Sequence, residues 1–344
     1  MDAEQRPIVS VVIPSVNGAA HLGPCLRSLA RGEPPRPEVI VVDGGSTDGT
    51  RAACAAAPLP VRLVALRRNP GYAAAVNAGL RAARGEHLVV LNNDVEVAPD
   101  FLRRLVETAG HTGAELVAPR VLALQRPECV DNTGNELYLD GLNLCRARGD
   151  HDGPRHRSPV DPLLPSGAAL LVRRSLLERI GGFDERFFAY GEDAEFGLRA
   201  LRVGRTCRYA PDAVVYHRGG GTWGPTSLRK AYLVERNRGR IAALHFPPAE
   251  LLRSPLYLAA RYATHLQEGL AGRGPLGSYD RGWRKLAAGG AAAAGIVGAA
   301  LGLPGDLLRR AEVARGVTLS EARLRSLLRS RRVGLGTVRR RVRW

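Results

Sequence analysis

Four stretches of this chain combine acids, amides, a histidine and glycines in patterns suited to a phosphorylated ligand. Leu91-Asn92-Asn93-Asp94-Val95 follows an apolar run and ends on a carboxylate. At a strand end that group can hold a hard divalent cation that also binds phosphate oxygens, although Asn and Asp are equally the residues of a solvated turn. Val41-Val42-Asp43-Gly44-Gly45-Ser46-Thr47-Asp48-Gly49-Thr50 reads as a strand entering a glycine turn and a helix capped by Ser46 or Thr47. Asp43 there can accept hydrogen bonds from a base or ribose, and an ordinary βα turn has the same make-up. Residues 181–196 interleave aromatics, which need burial, with acids, which resist it, and a pocket reconciles the two. Within them Glu192-Asp193 opens a helix, where a carboxylate serves as general base towards a hydroxyl or simply favours the helix dipole. Finally, Val214-Val215-Tyr216-His217-Arg218 ends a strand before Gly219-Gly220-Gly221. His217 is a metal ligand or a structural histidine, and Arg218 can meet phosphate.

The elements that must position these groups alternate in type. Strand-like β-branched runs at 8–13, 39–42, 61–66 and 87–91 are separated by helical patterns at 21–30, 47–57 and 73–83, with a further helix at 99–108. This alternation predicts an α/β fold, a mostly parallel sheet with helices on both faces. Ligands of such sheets bind beyond the carboxyl ends of the strands, so the turns at 14–18, 43–46, 67–71 and 92–94 are expected to converge on one site. Residues 125–165 lack periodicity and read as an irregular insertion. Regular structure then resumes with strands at 168–172, 206–209 and 213–216 and helices at 175–180 and 192–201. Beyond about residue 225 the pattern is helical, ending in an amphipathic segment at 319–328 and a basic tail.

Composition narrows the function classes. At 344 residues with 45% hydrophobic content the chain can fill an ordinary core, which excludes disorder as the main state. The net charge of +17 favours anionic partners. Nucleic acid is not expected among them, since the arginines are spread through the chain and only nine Tyr, six Phe and three Trp accompany them, with no binding module. Five scattered cysteines without a C-x-x-C pair suggest reduced thiols rather than a disulfide framework or zinc site. The polar start Met1-Asp2-Ala3-Glu4 is not a signal peptide, so a cytoplasmic body is expected. The Ala/Gly-rich apolar stretch 286–303, read as breaking at Pro304, is short and weak for a membrane span and suits a buried or interfacial helical hairpin better.

Taken in order, Val-Ile-Pro-Ser-Val-Asn, Val-Val-Asp-Gly-Gly-Ser-Thr-Asp-Gly-Thr, Asn-Pro-Gly-Tyr-Ala-Ala-Ala-Val-Asn-Ala-Gly, Leu-Asn-Asn-Asp, Gly-Gly-Phe-Asp-Glu-Arg-Phe-Phe…Glu-Asp and Tyr-His-Arg-Gly-Gly resemble the family 2 inverting glycosyltransferases. More narrowly they resemble the rhamnosyltransferase-like branch that builds bacterial cell-surface polysaccharides. The resemblance covers residues 8–245 and implies a GT-A-type, Rossmann-like fold with a helical C-terminal extension. It implies a nucleotide-sugar-binding half at 1–120 and an acceptor-binding and catalytic half at 121–245; beyond it, the Arg-rich tail and the Ala/Gly apolar stretch of the helical extension at 246–344 suit an anionic membrane surface. Pro14, Ser15, Asn17, Asp43, Asn69, Gly71, Asn77, Asn92, Asn93, Asp94 and Arg218 would then serve the donor, and Gly167, Gly182, Phe183 and Asp184 would border the acceptor. Asp193, with Glu192 beside it, corresponds to the general base, and Asp94 and His217 to ligands of Mg²⁺ or Mn²⁺. Partners would be a nucleotide-diphosphate sugar and a saccharide or lipid-linked acceptor at the inner face of the plasma membrane. The chain departs from the family pattern in having Gly44 after Asp43, and Asn92 where many members carry a first metal-binding acid. One charge therefore remains at that turn, and the metal would lean on Asp94, His217 and the donor's phosphates. A non-catalytic sugar-nucleotide-binding protein is the alternative reading of the same motifs.

Overall fold

The computed structural model describes residues 8–219, 227–270 and 282–341. Its elements in chain order are β1 (Val9–Ser15), α1 (Ala19–Ala30), β2 (Glu38–Asp43), α2 (Thr50–Ala55), β3 (Val61–Ala65), α3 (Tyr72–Ala82), β4 (His87–Leu91), β5 (Val95–Val97), α4 (Phe101–Thr112) and β6 (Leu116–Ala123). There follow β7 (Arg126–Asn132), β8 (Asn135–Leu137), β9 (Asn143–Cys145), α5 (Pro154–Arg157), β10 (Ala169–Arg173), α6 (Arg174–Ile180) and α7 (Glu192–Arg202). The chain continues with β11 (Arg208–His217), α8 (Leu228–His245), α9 (Pro248–Leu270), α10 (Gly282–Val313), α11 (Glu321–Ser330) and α12 (Leu335–Arg341). Two compact units share these elements.

The first unit comprises residues up to 134, 146–188 and those following 205 through β11. It holds a nine-stranded sheet in the order β3-β2-β1-β4-β10-β6-β11-β5, with β7 on β6. Pairing is parallel from β3 to β4, antiparallel on both sides of β10, parallel again between β6 and β11 and antiparallel between β11 and β5, so the mostly parallel sheet predicted from sequence is a mixed one. Both faces are covered. Val11, Ile13, Val41, Val89 and Leu91 pack with Leu22, Leu26 and Leu29 of α1 and Phe101 and Leu105 of α4. On the opposite face α3 comes so close that a Cβ on Gly79 would lie 2.3 Å from Val12 Cγ1. Burial on both faces explains why these strands read as continuous apolar runs.

Three readings of the sequence are corrected here. The stretch 125–165 is not an irregular insertion: it contains β7, β8 and β9, short strands with few apolar residues that pair in the local hairpins β6–β7 and β8–β9. The strands expected at 206–209 and 213–216 are one strand, β11, whose register slips between Ala210 and Val214 around Pro211. The helix after Asp43 begins at Thr50 rather than 47, because Asp48, not Ser46 or Thr47, accepts the Thr50 N–H at 2.9 Å.

The second unit holds the β8–β9 hairpin, α7 and the helices from α8 onward. Pro304 does not break α10, which continues to Val313. A buried ionic cluster joins hairpin and helices: Arg261 of α9 donates to Asp140 at 2.7 Å and Glu235 at 2.8 Å, and Arg238 pairs with Glu235 at 2.9 Å. Asp140 is fully buried. Removing one partner of such a cluster strands charge in the interior, so Arg261→Ala is expected to lower stability by about 3–5 kcal/mol in denaturant titration. A loss below about 1 kcal/mol, the scale of a surface pair, would contradict that reading.

Candidate active site

Within the first unit the turns after β1, β2 and β4 interlock around their strand ends. Asn17, at φ +48°, donates its backbone N–H to Ser46 Oγ at 2.8 Å and accepts from Thr47 N at 2.9 Å. Asn93 Nδ2 donates to Ser15 Oγ at 2.9 Å, next to Pro14, and Gly18 leaves them room. The turn after β3 joins them: a Cβ on Gly45, at φ +79°, would lie 3.0 Å from Arg68 Cα. The four predicted turns therefore do converge.

Asp43 is fully buried, taking the Ser46 N–H at 2.8 Å and Arg51 Nε at 2.7 Å. Burial opposes its ionisation, but the bonds from Ser46 and Arg51 prevail and hold its carboxyl below the usual range. Asn69 Oδ1 accepts from Gly71 N at 2.9 Å, and Gly71, at φ +94°, abuts Phe188, itself at φ +64°. Asn77 and Gly182 meet directly: Asn77 exchanges hydrogen bonds with the backbone of Phe183 at 2.8 Å each way and donates to Glu185 at 2.9 Å. A Cβ on Gly182 would lie 2.4 Å from Asn77 Oδ1. Gly167 O accepts from Tyr72 Oη at 2.8 Å, and Asp184 caps the short turn at Glu185–Phe187 by accepting from Arg186 N at 3.1 Å.

The β4 and β11 ends bring the acids and histidine together. His217 Nε2 lies 3.3 Å from Asp94 Oδ1, and Nδ1 lies 2.8 Å from Asp131 Oδ2 on β7. Arg148 meets Asp131 at 3.2 Å. Burial works against a charged ring, yet the hydrogen bonds to Asp131 and Asp94 outweigh it and raise His217 to about 9. Asp94 and Asp131 are correspondingly held below the usual carboxylate range against their own burial, chiefly by His217. Neighbouring ligands of an octahedral cation at about 2.1 Å stand about 3 Å apart, so Asp94 and Nε2 fit two positions of one ion. Asp131 fixes Nδ1, the usual outer-shell arrangement of a metal-bound histidine, and a cation would displace the Nε2 proton. No group of three or more His, Cys, Asp or Glu suited to a metal occurs among the described residues, so an ion here would draw further ligands from a bound molecule. A small open groove beside Asp94 is lined by His21, Pro24, Glu96 and Arg218 among others. Asn92 Oδ1 is buried without a hydrogen-bond partner. Gly219 is described, while Gly220 and Gly221 lie outside the described residues.

Within the second unit, α7 begins at Glu192 after Gly191, with Glu192, Asp193 and Glu195 in its first turn. Asp193 is held by the β8–β9 hairpin: Asn135 Nδ2 donates to Oδ2 at 2.9 Å and Asn143 Nδ2 lies 3.5 Å from Oδ1, which also accepts the Ala194 N–H at 2.8 Å. Glu192 is buried with Oε2 unpartnered, and burial together with the Asp193 charge pushes it up to about 8. Glu195 anchors the helix from behind through Arg199 at 2.9 Å and His245 at 3.3 Å. Asp131, Asn135 and Asn143 escaped the sequence reading because they sit in the stretch without periodicity; the polar run Asp131-Asn132-Thr133-Gly134-Asn135 was the available signal.

Comparison with known proteins bears on these features. The succinoglycan biosynthesis protein ExoO of Rhizobium meliloti is 44% identical over 229 residues, 62% of this chain and 62% of that protein, so the chain spans less than two thirds of that relative. The N-acetylglucosaminyl-diphospho-decaprenol L-rhamnosyltransferase of Mycobacterium tuberculosis is 31% identical over 242 residues, 61% of this chain and 76% of that protein. Among solved structures, the mannosyltransferase PcManGT from Pyrobaculum calidifontis in complex with GDP-Man and Mn²⁺ aligns over 94% of this chain and 86% of that one, with a TM-score of 0.53 and 20% identity, a likeness of fold. Residues 10–181, half of the chain and the part containing the four interlocked turns, match the description Glycosyl transferase family 2. The chain belongs to glycosyl transferase family 2.

Proposed function

We propose that the chain is an inverting glycosyltransferase. It moves a sugar from a nucleotide-diphosphate donor to a hydroxyl of a saccharide or lipid-linked acceptor in cell-envelope polysaccharide synthesis, with rhamnose the candidate carried by the mycobacterial relative's name. The observation that carries the reading is the Asp94–His217 pair at the converging strand ends of a family 2 sheet. Residues 1–120 supply the donor half through Pro14, Ser15, Asn17, Asp43, Asn69, Gly71, Asn77, Asn92, Asn93 and Asp94, and Arg218 adds a phosphate contact. Residues 121–245 supply the acceptor half, with Gly167, Gly182, Phe183 and Asp184 at its border, and residues 246–344 the extension that meets the cytoplasmic face of the membrane.

In this mechanism Asp193 takes the proton of the acceptor hydroxyl as that oxygen bonds to the anomeric carbon and the bond to the diphosphate breaks. Asn135 and Asn143 orient its carboxylate. Asp94 and His217 hold the divalent cation, Mg²⁺ or Mn²⁺, with Asp131 steering the imidazole. When bound, the cation supplies Lewis-acid stabilisation of the departing diphosphate. Arg218 adds charge-assisted hydrogen bonds to phosphate oxygens.

Thermal unfolding with UDP, GDP and dTDP sugars, each with and without Mn²⁺, tests the donor. A ligand at about 100 times its Kd stabilises by about 2.7 kcal/mol, so one nucleotide class is expected to raise the midpoint by several degrees, and more with Mn²⁺. No shift with any nucleotide would remove the reading.

A further inference from the structure

The helix α10 has two unlike faces. On one, Ala288, Gly295 and Asp306 are buried. A Cβ on Gly295 would lie 2.4 Å from Tyr232 O of α8, Gly239 leaves room for Ala299, and Asp306 pairs with Arg240 at 3.0 Å. On the other, Leu286, Val297, Leu301 and Leu308 are 79%, 56%, 79% and 80% exposed. Their spacings are close to whole turns at 3.6 residues per turn, so they form one stripe. Glycines and alanines fill the space between them, and no charged residue occurs from 286 to 305.

A leucine stripe this long is a docking surface rather than ordinary exposure. By length and composition α10 is apolar enough to cross a bilayer. Crossing would require its other face to meet lipid or apolar protein, and that face is closed on α8, which carries Glu235, Arg236, Arg238 and Arg240. Lying in the interface needs only the outer stripe. Trp283, 60% exposed, with Arg284 and Lys285 begins the helix, and residues 282–344 contain fourteen Arg and Lys against three acids. That balance matches anionic headgroups and repels a second copy of the same surface.

We infer that α10 is a monotopic membrane helix, its Leu286–Val297–Leu301–Leu308 stripe entering the acyl boundary of an anionic bilayer while its small-residue face stays on α8. This deepens the membrane contact proposed above, and it is separable from the transferase reading. The test is co-sedimentation of the full chain with phosphatidylglycerol/phosphatidylcholine vesicles, comparing wild type with Val297→Asn/Leu301→Gln/Leu308→Gln. Each apolar side chain withdrawn from lipid is worth roughly tenfold, so partition should fall by about 100-fold or more, with circular dichroism and melting unchanged. A readout in the unsubstituted helix is quenching of tryptophan emission by brominated lipid, measured as the difference between wild type and Trp283→Phe; quenching of Trp283 is expected. Equal partition of wild type and triple variant, or an unquenched Trp283, overturns the inference. So does a wild-type dimer that the triple variant dissolves without any vesicle binding. Transfer to a water-soluble acceptor should be equal in both proteins, so failure of the chemistry and failure of docking are read apart.

Discussion

Asp193→Asn is expected to slow sugar transfer by about 10²–10⁴-fold, the usual contribution of a general base, while donor stabilisation stays as in wild type. The amide keeps the shape that Asn135 and Asn143 hold, but it cannot accept the hydroxyl proton. The neighbouring acid gives the contrast. Glu192 is pushed up to about 8 by burial and then by the charge of Asp193, so its neutral form is favoured beside the Asp193 carboxylate. Glu192→Gln mimics that neutral form and should transfer at near the wild-type rate at pH 7. The substitution also has a stability signature. The folded value lies above the ordinary 4.5, so from about pH 4.5 to 8 the unfolded chain gains from ionising a group that the folded chain keeps neutral. Wild-type stability therefore loses ground across that window, and Glu192→Gln should melt higher than wild type at pH 8 and alike near pH 4. Retained activity in Asp193→Asn, together with loss in Glu192→Gln, would reverse the assignment.

The double substitution Asp94→Ala, His217→Ala should abolish the Mn²⁺ enhancement of donor stabilisation and lower transfer by about 10²–10³-fold, the scale of losing preorganised charge at a leaving group. Asp131→Asn touches neither donor nor cation directly and should weaken apparent metal affinity by about 10–100-fold, as removal of an outer-shell partner does. His217→Ala alone should destabilise more than the double variant, since it leaves Asp94 and Asp131 buried without their shared cation. Metal titration of nucleotide-sugar turnover checks the first two, and denaturant titration checks the third. A double variant with the wild-type metal response would show that the ion, if used, binds elsewhere.

The parts legible in the sequence were those with period and punctuation. The strands from β1 to β4 announced themselves as apolar runs closed by glycine or amide turns, and their convergence followed from the parallel topology. What escaped depends on distant partners. β6 carries Pro119 and a buried Arg120 that Asp152 neutralises at 3.2 Å, so its composition does not read as a central strand. Asp131, Asn135 and Asn143 carry at most the weak signal of a polar run, because each is defined by the residue it meets far along the chain. The hydrogen bonds of the Asn77 amide to Phe183 and Glu185, residues 106 and 108 positions away, have no trace in the local pattern. Pro304 was expected to end a helix that its partner α8 carries onward through the Arg240–Asp306 pair. Tertiary pairing thus decided the polar half of the site, while local pattern decided the frame.

The central claim is inverting transfer from a sugar nucleotide. It is tested most directly by proton NMR of the products formed from the stabilising donor, Mn²⁺ and an acceptor alcohol. The account predicts a new glycoside of anomeric configuration opposite to the donor's, with one nucleoside diphosphate released for each bond formed and both products appearing about 10²–10⁴-fold more slowly with Asp193→Asn. A donor that binds and stays intact, or a glycoside that retains the donor's configuration, would contradict it.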